Sequence, residues 1–318
     1  MRKLFLLPFL LSIFAPTICF ADMVGYSGDM RRYVTDAEKK QFPYNTVVRF
    51  EYWDDDGGIT GTGTFISNDL LLTCRHVVEK PGEDKRTNFY TSDGKQNWGT
   101  VVPYISATEG DFGVTDAAFV FHKNAFSGPV LKLAETTRMS NNVMIIGYDS
   151  LKPLSKSELK IVRQLYTNWI KAHGKIDKNN SYMATKDIER ELKTNYSCSL
   201  NNTKNCVKCS NYDGYCIFGD HENMKIRTGC QITDIKTVKK GHKLMFTNCP
   251  GSGGASGSAI VDVDTKEIIG IFCRNVTAQI GQRKDATNLG VSIDFPYKTL
   301  HHQNDRYLKL LEKWGEDK

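Results

Sequence analysis

From Tyr44 onward the chain is dominated by short runs in which apolar and polar residues alternate, each run ending at turn-forming residues. TVVRFEYW (46–53) is rich in β-branched and aromatic side chains and stops at DDDGG (54–58), a pattern suited to a half-buried strand followed by a turn. TGTFI (62–66), the turn SND (67–69) and LLLT (70–73) predict a hairpin. Further strands are expected at TVVPYI (100–105), AAFVF (117–121), VMIIGY (143–148), QITDIK (231–236), LMFTN (244–248), SAIVDV (258–263), EIIGIF (267–272) and GVSIDF (290–295). Many short strands with regular turns indicate an all-β sandwich or barrel.

Residues 151–229 interrupt this rhythm. SELKIVRQLYTNWIKAHG (157–174) places Val162, Leu165, Trp169 and Ala172 three or four apart and ends at Gly174, which predicts an amphipathic helix with a glycine cap. KDIEREL (186–192) suggests a second short helix, and a cysteine cluster spaced C-x7-C-x2-C-x6-C follows at 198–216. The C-terminal stretch NDRYLKLLEKW (304–314) gathers Tyr307, Leu308, Leu311 and Trp314 on one helical face, with Asn304 as a candidate N-cap.

Composition adds little to the fold but something to location. Charged residues make up 25% and hydrophobic residues 40% of the 318 positions, ordinary values for a globular protein. The net charge of +6 is too small to imply a nucleic-acid partner. Residues 1–21 carry Arg2 and Lys3, then an apolar run broken by Pro8 and Pro16, then C-F-A ending at Ala21. This is the layout of a secretory signal peptide. Beyond it no segment is long and apolar enough to cross a membrane, so a secreted or periplasmic protein with no membrane attachment after leader removal is expected. Residues 22–43 form an N-terminal extension or a pro-segment. The 151–229 insertion holds 14 Lys/Arg against 8 Asp/Glu. That excess reads either as a solvated surface or as an exosite for a partner.

Candidate chemistry sits in three places. GGASGSAIVD (253–262) sets Ser256 among small residues, as a nucleophile on a tight turn requires, and an oxyanion beside it needs two fixed N–H donors. LLLTCRHVVE (70–79) puts His76 directly after an apolar strand. A serine hydroxyl needs a general base, and imidazole works near neutral pH. VTDAAFVFH (114–122) places Asp116 just before another strand, with Asp111 as a rival. A buried carboxylate there would orient the base. The order His, Asp, Ser is that of trypsin-like enzymes, whereas the α/β-hydrolase order would need Ser256, then Asp285 or Asp294, then His301, in a chain lacking alternating helices.

On these residues the sequence resembles the trypsin-like serine peptidases, in their bacterial glutamyl-endopeptidase-like branch. The resemblance is carried by GDMRRYVTDAEKKQFPYNTVVRF (28–50), GTGTFISNDLLLTCRHVVE (61–79), DAAFVF (116–121), IIGYDS (145–150), GASGSAIVD (254–262), EIIGIF (267–272) and GVSIDF (290–295). It implies two antiparallel six-stranded β-barrels over 44–318, with the helical, Cys-rich insertion and a C-terminal helix added. It further implies peptide or protein substrates, a His76–Asp116–Ser256 triad, Gly254 and Ser256 as oxyanion donors, and neither metal nor cofactor. The substrate pocket departs from that branch. Its expected histidine is Phe272, its expected threonine is Gly251, and Pro250 stands where a trypsin-type aspartate would be. A glutamate-selective pocket is therefore not supported, although Arg274 would favour acidic substrates by charge pairing. A second functional reading is a catalytically silent binding protein that acts through the insertion.

Eight cysteines follow the leader, and an even number in an exported chain suggests disulfides. Cys230 and Cys249 flank a hairpin centred near Lys239–Lys240, which sets them opposite each other. Cys74 and Cys273 then remain near the candidate site, and the four clustered cysteines would close two small loops. Zinc at Cys206 and Cys209 with His221 is the competing reading.

Overall fold

A computed structural model describes residues 30–54, 57–78, 86–102, 116–174, 181–198, 206–209, 216–217, 220–237, 243–249, 251–275 and 288–292. The leader, the expected C-terminal helix, Asp111, Pro250, Asp285, Asp294 and His301 lie outside them. The chain enters through strand Arg31–Tyr33 (β1) and the helical turn Asp36–Lys39 (α1), whose N-cap Thr35 and Glu38 form a reciprocal capping box.

Strands Val47–Asp54 (β2), Gly57–Phe65 (β3), Leu70–Thr73 (β4), Arg86–Tyr90 (β5), Gln96–Val102 (β6) and Ala118–Phe121 (β7) close into a barrel in the order β2-β3-β4-β7-β6-β5. Period-two alternation explains the inward set: Val48 and Phe50 on β2 and Thr87 and Phe89 on β5 are buried, while Arg49 and Asn88 between them are more open. Phe50 and Phe65 each meet Phe89, at ring-centroid distances of 6.0 and 6.1 Å. Burying each such ring contributes roughly 1.5–3 kcal/mol.

The second half comprises Lys132–Leu133 (β8), Val143–Gly147 (β9), Lys225–Cys230 (β10), Ile232–Thr237 (β11), Lys243–Thr247 (β12), Ala259–Asp262 (β13), Glu267–Asn275 (β14) and Asn288–Ser292 (β15). Their order is β1-β10-β9-β13-β14-β15-β12-β11, with β8 beside β14. Only Gln231 separates β10 from β11, so the two arms of this sheet are one bent strand. Counted once, that strand returns the path to its start and gives the second six-membered antiparallel ring that the resemblance implied. One apolar cluster runs through both halves, from Phe50 and Leu72 to Val261 and Phe272.

Four strands escaped the sequence reading: β1, β5, β8 and β10. The reason is clearest for β10. Its inward residues include Lys225 and Arg227, both fully buried, so its polarity inverts the pattern that marks a core strand. Residues 225–229 are thus barrel rather than surface insertion, and two of the insertion's cations point inward.

Between β9 and β10 lie helices Lys156–His173 (α3) and Ser181–Glu191 (α4); a helical turn Arg75–Val78 (α2) follows β4. Ser155 and Glu158 form a capping box on α3, and Gly174 ends it at φ +83°. Leu159, Val162, Leu165 and Trp169 pack with Ala184, Ile188 and Ile217 into a separate small core, while Ala172 stays exposed. Glu189 is buried yet accepts from the backbone N–H of Cys216 and Ile217, at 2.5 and 3.0 Å. Disulfides Cys198–Cys206 and Cys209–Cys216 staple this region, so its clustered sulfurs are spent on covalent bonds rather than on zinc. Among the described residues no helix is long and apolar enough to span a membrane.

Candidate active site

Strands β4 and β7 are antiparallel neighbours with Thr73 opposite Ala118. The exit of β4 therefore lies against the entry of β7, which brings α2 to Asp116. His76 meets that carboxylate twice. Its backbone N–H donates to Oδ1 at 3.0 Å, and Nδ1 lies 2.6 Å from Oδ2. A carboxylate only accepts, so Nδ1 carries the hydrogen and Nε2 is left as the basic nitrogen. The Asp116 side chain is 5% exposed and that of His76 is 35% exposed. The acid is thus sheltered while the imidazole faces solvent, as a base that must reach substrate requires.

Ser256 lies on two consecutive tight turns. Ala255 N–H donates to Ser252 O at 3.0 Å, and Ser258 N–H donates to Ala255 O at 3.0 Å. Gly254 and Gly257 hold the third position of each turn, at φ +89° and +90°, which is the left-handed geometry of the type II turn. Gly253 O accepts from Ser150 N–H at 2.7 Å. In a trans peptide the N–H points opposite to the C=O, so Gly254 N–H is turned away from Ser150. Thr62 ties the first barrel to this loop. Its N–H donates to Ser256 O at 2.8 Å, and its Oγ1 donates to Gly254 O at 2.9 Å.

The Ser256 hydroxyl donates to Cys273 O at 3.1 Å, and no bond from it to His76 occurs among the described residues. The connection is indirect: Cys273 is bonded to Cys74, two residues before His76, with Cα atoms 6.0 Å apart. The Cys273 sulfur also lies 3.2 Å from Asp116 O. The structure therefore joins His76 directly to Asp116 and reaches Ser256 through the disulfide. Cys74, Cys273 and Asp116 form the one metal-like grouping among the described residues, but both sulfurs are spent in that bond. A further disulfide, Cys230–Cys249, has Cα atoms 5.1 Å apart.

Of the residues expected to line a pocket, Gly251 and Phe272 touch: a Cβ on Gly251 would stand 2.3 Å from Phe272 Cζ. The Phe272 ring fills the space a side chain at 251 would need and is 1% exposed. Arg274 pairs through its backbone with Leu289, and its side chain is outside the described set. The sequence reading raised His221 only as a zinc ligand beside Cys206 and Cys209. Its Nδ1 is buried without a hydrogen-bond partner among the described residues, beside Gly254. Burial, reinforced by the positive charges of Lys225 and Arg49, pushes its pKa down to about 4.

A family model, the trypsin-like peptidase domain, matches residues 61–202. No curated protein matches the chain. Among solved structures, a Glu endopeptidase in complex with MPD is 14% identical with a TM-score of 0.49, over 89% of this chain and all of that one. A serine endoprotease from Yersinia pestis is 13% identical with a TM-score of 0.45, over 85% of this chain and 66% of its own. A protease from M. tuberculosis in its active form is 15% identical with a TM-score of 0.42, over 78% and 75%. The stretch 61–202 that matches the trypsin-like peptidase domain contains the His76–Asp116 pair.

Proposed function

We propose that the protein is an exported endopeptidase that cleaves peptide bonds through His76, Asp116 and Ser256. The observation that carries this reading is the short Nδ1 contact to Asp116 at 2.6 Å, which prepares Nε2 to take a proton. Rotation about the Ser256 Cα–Cβ bond would release its hydroxyl from Cys273 O and offer it to Nε2, because catalytic hydrogen bonds often tighten only in the substrate complex. Ser256 Oγ then attacks the scissile carbonyl as its proton passes to His76. The oxyanion is held by the N–H groups of Gly254 and Ser256. His76 returns the proton to the leaving amine, and water, activated by the same imidazole, clears the acyl-enzyme. Export is supported by the leader-like residues 1–21 and by four disulfides.

With Phe272 buried against Gly251, neither residue offers a polar ligand for a glutamate side chain. We infer a preference for small or apolar residues before the cleaved bond. The test is a fluorophosphonate probe on the purified protein with disulfides intact, followed by mass mapping and peptide profiling. Label on Ser256, lost in Ser256→Ala and slowed at least 100-fold in His76→Ala, is expected, with cleavage after small or apolar residues. Absence of label on folded protein would return the chain to a silent binding protein, and preferential cleavage after glutamate would refute the pocket assignment alone.

A further inference from the structure

Strand β1 lies upstream of both barrels, yet it contributes to a buried charge cluster behind the oxyanion turn. Arg31 and Arg227 are direct cross-strand partners on β1 and β10. Like charges facing each other across a sheet repel, and both side chains are fully buried. Asp149 resolves the conflict. Its carboxylate, also fully buried, pairs with Arg227 through Oδ2 and lies 3.7 Å from Arg31 Nη1 through Oδ1. Lys225 Nζ donates to Asp149 O at 2.7 Å.

Residues 149–151 are also the surface on which the turn before Ser256 is laid. Ser150 N–H donates to Gly253 O at 2.7 Å. Leu151 N–H is shared between Asp149 Oδ1 and Ser252 Oγ, each at 3.1 Å. Ser150 Oγ reaches Ser252 Oγ at 3.3 Å. Arg31 clamps both ends of this short template, because the same Nη1 that faces Asp149 donates to Leu151 O at 3.3 Å. Through Ser150, the clamp sets the peptide whose other end is Gly254 N–H.

We propose that Arg31 is a positioning residue of the oxyanion turn, acting through Asp149 and Leu151, and that the N-terminal strand carrying it stays with the active enzyme. The inference rests on the protease reading above and adds a residue to it from outside the catalytic motifs. A misplaced oxyanion donor weakens the transition state more than the ground state. Arg31→Met, which keeps the stem and removes the charge, should lower kcat at least tenfold with KM within about threefold, by comparison with the roughly 10²–10³-fold cost of losing a donor outright. Arg31→Lys should recover part of the loss. Far-UV circular dichroism and thermal melting report whether each variant is folded, and Asp149→Asn, measured alone and with Arg31→Met, should show non-additive effects on kcat. Intact-mass analysis of the active species should find Arg31 present. An active species that begins after Arg31, or folded Arg31→Met with the parent's kcat, overturns the inference and leaves the protease reading standing. A folded parent that neither labels at Ser256 nor hydrolyses peptide overturns both.

Discussion

Gly254 shows how much of the site depends on a single missing side chain. Its φ of +89° is strained for any L-residue, and a Cβ there would stand 2.3 Å from Tyr148 O, a backbone atom that cannot move aside. Gly253, one residue earlier, would bring a Cβ no nearer than 3.7 Å, to Ser150 Oγ. Gly254→Ala is therefore expected to lower kcat by about 100-fold, the scale of one lost oxyanion donor, and to cost about 1–3 kcal/mol of stability. Gly253→Ala should keep activity within a few-fold. Steady-state kinetics and thermal melting of the two variants check this, and equal damage from both would remove the geometric argument. The glycine-rich run was legible in the sequence. The division of labour among its glycines was not, because it depends on which carbonyl of a distant loop lies above each one.

Among the elements, the Cys74–Cys273 bridge joins the end of β4 to β14 across a sequence separation of 199 residues. It holds the acceptor of the Ser256 hydroxyl near the segment that carries His76. Closing so long a loop stabilises by about 2–5 kcal/mol. Cys74→Ala with Cys273→Ala should lower Tm by several degrees and also reduce kcat several-fold. Cys209→Ala with Cys216→Ala opens a loop of sequence separation 7 inside the insertion, and should leave kcat unchanged. Melting curves and kinetics on both double variants decide it; a stability loss without a change in kcat in the first pair would show that the bridge is only structural. The helices of the insertion were readable because α3 carries its own cap and its own apolar stripe. Strand β10 was not, because its buried face is cationic.

For the whole molecule, the folded state excludes a proton that the unfolded chain accepts. The His221 pKa is held near 4 by burial, against about 6.5 for a free histidine. Between those two values the unfolded state binds the proton and the folded state does not, so this contribution to stability is complete above about pH 6.5 and is lost as pH falls towards 4. Tm is expected to drop between pH 7 and pH 4.5, and His221→Gln should narrow that drop. An unchanged pH profile in the variant would assign the acid sensitivity to other groups.

The sequence by itself determined the class of the fold, the course of most strands, the segments bearing His76, Asp116 and Ser256, and the boundaries of α3. Each of these is written locally, in period-two or helical spacing and in turn residues adjacent in the chain. Tertiary structure alone decided that His76 meets Asp116, that Phe272 fills the space beside Gly251, and that Arg31 and Arg227 converge on Asp149. Those choices depend on strand register and on bringing together residues from about twenty to more than a hundred positions apart. A buried charge, moreover, looks like a surface residue until its partner is in view.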